Sequence, residues 1–126
     1  MPLKTIAVIF GVIFVAVGAL GWIPAVNPGG KLLGLFDVNV AHNLVHLATG
    51  IVAIVVGMIS DKASKLFFQV FGVIYALVAV LGFVSGDQPL LGIVNNNAAD
   101  TWLHVVIAVV ALYVGFGMKA EASATT

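Results

Sequence analysis

GLFDVNVAHNLVHLATGIVAIVVG, Gly34–Gly57, decides the fold, because a second copy of it lies downstream as GIVNNNAADTWLHVVIAVVALYVG, Gly92–Gly115. The offset is constant (92 − 34 = 58 and 115 − 57 = 58), and no gap is needed in either block. It pairs Asn39 with Asn97, His46 with His104, Ala53 with Ala111 and Gly57 with Gly115, and it sets His42 against Asp100. Upstream of each block lies a further matched run: FGVIFVAVGALGW, Phe10–Trp22, aligns with FGVIYALVAVLGF, Phe71–Phe83, at an offset of 71 − 10 = 61. Apolar sequences align easily by chance. A matched Asn, a matched His and several matched Gly without gaps do not, so we read the chain as a duplicated unit of two apolar segments.

Each of the four segments is long enough to cross a bilayer, which takes about 20 residues of helix. They fall near Leu3–Ile23, Val40–Ile59, Lys65–Val84 and Ala99–Met118. Composition agrees: of 126 residues, 62% are hydrophobic and 8% charged, with a mean hydropathy of +1.20. A soluble domain is about half apolar and about a quarter charged; lipid is the natural solvent for this chain. The first segment follows Lys4 as a signal peptide would, but an h-region runs only about 7–15 residues. This one continues to Trp22 and Ile23, and we read it as a retained helix. The fold class is therefore all-α: a polytopic membrane protein, a four-helix transmembrane bundle of two tandem parallel-repeat hairpins with pseudo-two-fold symmetry about the membrane normal. It forms a single transmembrane domain over 1–126, with one repeat near 3–60, the second near 64–118, and a polar mobile tail over 119–126.

Charge orients the bundle. Lys4, Lys62, Lys65 and Lys119 fall on one side of four crossings, while Lys31 lies on the other with Asp37, Asp87 and Asp100. The positive-inside rule then makes both termini cytoplasmic, with Trp22 and Trp102 at the outer boundary, where indoles favour headgroups. The outer loops, near Pro24–Asn39 and Ser85–Ala98, carry the Pro and Gly that mark turns. With no arginine, zero net charge and five scattered lysines, the chain has no basic footprint for nucleic acid. With no cysteine, it has neither disulfides nor thiolate chemistry. No phosphate loop, dinucleotide fingerprint or zinc-protease helix occurs, and Ser85 lacks the context of a nucleophile elbow.

The polar residues of the second and fourth helices carry whatever function the sequence reveals. His42, His46, Thr49, Ala53 and Gly57 fall within about 80° of one another around a helix of about 3.6 residues per turn. Asp100, His104, Ala111 and Gly115 share the equivalent arc. Small residues spaced by four let membrane helices approach closely, so the polar groups belong to the packed face and point away from lipid. The spacing of His42 to His46 and of Asp100 to His104 also presents two metal ligands from one helix face. Three imidazoles and a carboxylate suit zinc, copper or iron, with Thr49 as a supporting hydrogen-bond partner. His46 and His104 alone, as symmetric axial ligands, would suit haem or another porphyrin-type pigment, with Gly50 and Ala108 leaving room. A purely structural reading competes. Asn39 and Asn97 are candidate N-caps, Asp100 is then the third residue of a capping box, and His42 is solvated near the headgroups. Gln69 reads as an interhelical hydrogen bond outside the cluster.

The segments LLGLFDVNVAHNLVHLATGIVAIVVG and NNNAADTWLHVVIAVVAL resemble an uncharacterised bacterial family of small four-helix membrane proteins over nearly the full chain. The resemblance rests on Asn39, His42, Asn43 and His46 before and within the second helix, and on Asp100, Leu103 and His104 in the fourth. It implies this topology and a bacterial inner (plasma) membrane, and carries no activity. Two functional expectations follow. The first is a non-enzymatic scaffold or accessory subunit, whose partners are the bilayer and other membrane subunits or a second copy of itself. The second is a metal- or pigment-binding protein using His42, His46, Asp100 and His104. A transporter is a third, for which four short helices offer little room.

Overall fold

The computed structural model describes residues 1–121 and contains four helices long and apolar enough to span a membrane: α1 Leu3–Leu20, α2 Val40–Ile59, α3 Asp61–Ser85 and α4 Ala98–Leu112. A wider π turn, Tyr113–Gly117, extends α4. The protein is a multi-pass, four-helix membrane protein, as the hydropathy pattern requires. Of the tail expected over 119–126, residues 122–126 lie outside the described residues.

Helix boundaries depart from the hydropathy pattern where capping chemistry outweighs it. α3 begins at Asp61, four residues before the expected Lys65. The Ser60 side chain accepts from the Ala63 N–H at 2.9 Å, and Asp61 sits in a first turn whose dipole favours negative charge. Ser60 is in consequence the single residue between α2 and α3. α1 stops at Leu20 instead of Ile23; Ile23 itself is extended, as Pro24 disfavours helical backbone in the residue before it. At the far end, Gly115 forms part of the π turn, and a Cβ there would lie 2.5 Å from the Gln69 nitrogen. The Gln69 side chain donates to the Gly115 carbonyl at 2.9 Å, the interhelical bond expected of it.

Packing is by close pairs. α1 lies along α2 and α3 along α4. Gly11 and Gly50 put the first pair in backbone contact: a Cβ on Gly11 would come 2.5 Å from the Gly50 carbonyl oxygen, and one on Gly50 2.7 Å from that of Gly11. Between the pairs, Phe10 meets Phe67 and Phe68 edge to face at 5.9 and 5.3 Å, in a core closed by Ala7, Ala53 and Ala111. Small residues on the helix faces thus bring the backbones together, and aromatic residues fill the space between pairs.

The loop end is ordered by two short turns. Strands β1 Lys31–Leu32 and β2 Phe36–Asp37 pair antiparallel, and a bridge joins Leu90 to Val94. Each is reversed by a Leu-Gly dipeptide with both φ positive: Leu33 56° and Gly34 73°, Leu91 53° and Gly92 73°. The two loops clasp each other. The Asn39 side chain donates to the Ile93 carbonyl at 2.9 Å, and that of Asn97 to the Leu35 carbonyl at 2.9 Å.

Candidate functional site

The clasp fixes the first turns of α2 and α4, and with them the polar cluster. Asn39 caps α2 by accepting from the His42 N–H at 2.9 Å. Asn97 caps α4 by accepting from the Asp100 N–H at 3.0 Å. Asp100 completes a capping box by accepting from the Asn97 N–H at 3.0 Å. The same carboxylate oxygen accepts from the Asp37 N–H at 3.1 Å, so Asp100 ties the loop between α1 and α2 to α4. It is buried, and both groups that donate to it are backbone N–H groups.

The structure brings His42, His46 and His104 together. The His42 and His46 rings have centroids 4.8 Å apart, and the His42 and His104 rings 6.5 Å. All three are at most 6% exposed, which corrects the expectation that His42 is solvated: the first turn of α2 is roofed by the clasped loops. α1 and α3 supply the walls. Phe14 stacks on His46 with centroids 4.8 Å apart, and Tyr75 lies 5.7 Å from His104. Phe14 and Tyr75 meet edge to face at 5.9 Å, so a continuous row of rings crosses the bundle.

Three buried nitrogens in this row have no partner: Nδ1 of His42, of His46 and of His104. Buried polar atoms are nearly always paired, and an unpaired one costs about 1–3 kcal/mol. The three imidazoles also line one cavity of about 240 Å³. Thr49 and Tyr75 add hydroxyls to its wall, and no charged side chain lines it. The rest of the lining is aliphatic or aromatic, including Val45, Ile74 and Leu81, which are themselves exposed on the outside of the helices. The opening is therefore lateral, between α2 and α3, and the turn carrying Leu90, Leu91 and Ile93 covers its outer end.

Of the sequence-derived ligand set, Asp100 does not line this cavity. No group of three or more His, Cys, Asp or Glu is disposed to hold a metal ion among the described residues. Nor does Gly50 leave the room expected for a macrocycle: the place of its missing Cβ is filled by Gly11 and Val15 of α1. Ala108 packs in the aromatic core with Phe14 and Tyr75. Tyr75 was missed by sequence reasoning. Its signal was present, since the offset of 61 pairs it with Phe14 (75 − 61 = 14) and makes it a polar departure within an apolar match.

Residues 4–117 match the profile of the family described as Domain of unknown function (DUF4383). The chain belongs to this family. The match covers all four helices and the three imidazoles, and the family carries no assigned activity. No curated protein and no solved structure matches the chain.

Proposed function

We propose that the protein is a small non-enzymatic membrane protein that binds a small ligand at His42, His46 and His104, as an accessory subunit of a larger membrane assembly. The observation that carries this reading is that three imidazoles line one cavity, each with a buried Nδ1 that has no partner. A scaffold role alone explains the clasp, the caps and the glycine contacts. It leaves three imidazoles unsatisfied, each at a cost of about 1–3 kcal/mol that three apolar residues would avoid. Zinc, copper or iron matches the donor type, but Asp100 is committed to backbone N–H groups. A porphyrin-type pigment meets the filled space beside Gly50. An organic ligand with hydrogen-bonding groups fits better.

The proposal extends to topology. It has a single transmembrane domain with both termini on the cytoplasmic side of a bacterial plasma membrane, supported by the lysine distribution. It also has the two hairpins related by duplication. Support for duplication comes from the clasp, in which Asn39 bonds Ile93 and Asn97 bonds Leu35, partners that the offset of 58 exchanges (97 − 39 = 58 and 93 − 35 = 58).

The reading is tested by purifying the chain without a histidine tag and assaying it for metals, for visible absorbance and for solvent-extractable small molecules. We expect a near-stoichiometric ligand in the wild type that is lost in His46→Leu/His104→Leu. Equal ligand content in the two proteins, or none of any class in the wild type, overturns it.

A further inference from the structure

We infer that the cavity takes the ring of a neutral, bilayer-borne quinone or quinol, which enters laterally between α2 and α3 and leaves its apolar tail in lipid. This deepens the ligand-site reading and rests on it.

Size comes first. A cavity of about 240 Å³ equals roughly eight waters at about 30 Å³ each, and lies below the roughly 300–1,000 Å³ that drug-sized ligands occupy. A single substituted ring fits within it. Charge comes second. No Lys, Asp or Glu lines the cavity, so a phospholipid headgroup would enter without a counter-ion, at a large desolvation cost. Ring oxygens carry no charge and need only hydrogen bonds. Imidazole offers both donor and acceptor nitrogens, and the Thr49 and Tyr75 hydroxyls do either, so the wall can serve a quinone carbonyl or a quinol hydroxyl.

Shape comes third. The rings that line the cavity, those of His42, His46, His104, Tyr75 and Phe71, favour stacked or edge-to-face contact with another flat ring. The mouth comes last. Val45 on α2 and Ile74 on α3 both line the cavity and face outward, 47% and 43% exposed. A tail leaving between them meets acyl chains, not water.

The test uses untagged protein, isotope-labelled at histidine, in phosphatidylcholine nanodiscs. A benzoquinone with a short prenyl tail is titrated in, and zinc ion alone is titrated in a parallel sample. We expect the quinone to shift the imidazole resonances of His42, His46 and His104. Ile74→Trp, on the lipid face at the mouth, should weaken it about tenfold or more; Val45→Trp, on the opposite lip, should do the same. Binding unaffected by both indoles overturns lateral access. Zinc shifting the three imidazoles while the quinone does not overturns the quinone and leaves the ligand-site reading standing. Shifts from neither probe, with no co-purifying ligand, overturn both.

Discussion

Asp61 and Asp100 are the buried carboxylates among the described residues, 2% and 1% exposed, and each serves as an acceptor for backbone N–H groups at one end of the bundle. Asp100 receives the N–H groups of Asn97 and Asp37. Asp61 receives Lys4 N–H on one oxygen and Glu121 N–H on the other, both at 3.0 Å. It thereby joins the start of α1, the start of α3 and the segment after the π turn. An amide has only one oxygen, so Asp61→Asn leaves one N–H facing an NH2 group. The expected cost is about 1.5–3 kcal/mol, the range for hydrogen bonds to charged groups. Thermal unfolding in detergent measures it, with exposed Asp87→Asn as the control; equal melting of the two variants would show that the clamp contributes nothing. The histidines and Asp100 were legible in the sequence because ionisable residues are rare in an apolar chain. Their division of labour was not, since the offset aligns His42 with Asp100 whether the latter faces a cavity or a backbone N–H.

Helices and turns differ in how much local sequence decides. The span of α2 follows from hydropathy together with the Asn39 cap, and both its ends are where the sequence puts them. α3 gains four residues because Ser60 and Asp61 form a good N-terminus despite their polarity. The turns of the two clasped loops are less legible. Tight turns with φ positive at both central residues favour Asn-Gly or Asp-Gly, whereas these three-residue loops carry Leu33-Gly34 and Leu91-Gly92 there. A left-handed conformation costs a non-glycine residue roughly 1–2 kcal/mol, and both leucines are largely exposed. The strain is held by the flanking bonds, such as Leu90 N–H to the Val94 carbonyl at 2.7 Å, and by the buried Leu32 and Leu90. We expect Leu91→Asn, which tolerates this conformation, to raise the melting temperature, and the β-branched Leu91→Val to lower it. Circular dichroism melts of the two variants decide this; the reverse order would mean that apolar contact at the tip outweighs backbone strain.

At the scale of the whole molecule, charge and hydropathy act together. Lys4, Lys62, Lys65 and Lys119 lie at the end of the bundle that holds Ser60, and Lys31 lies at the end of the clasped loops. If the positive-inside rule governs insertion, single-cysteine variants in this cysteine-free chain will label asymmetrically. An impermeant maleimide added to intact cells should modify Lys31→Cys, and should reach Lys119→Cys only after permeabilisation. Labelling of Lys119→Cys alone in intact cells would invert the topology.

The sequence by itself determined the solvent, the number of crossings and the residues that had to be kept from lipid. These are local properties: about 20 apolar residues span a bilayer wherever they occur, and a histidine is costly there whatever its neighbours. Only the tertiary structure decided which of those residues share a space. His42, His46, His104 and Tyr75 come from three helices, Phe14 stacks on His46 from a fourth, and Asp100 binds the loop clasp. That outcome depends on how closely Gly11 meets Gly50 and how far α2 stands from α3. Such distances are set by pairs of side chains remote in sequence, which no periodicity along one helix encodes.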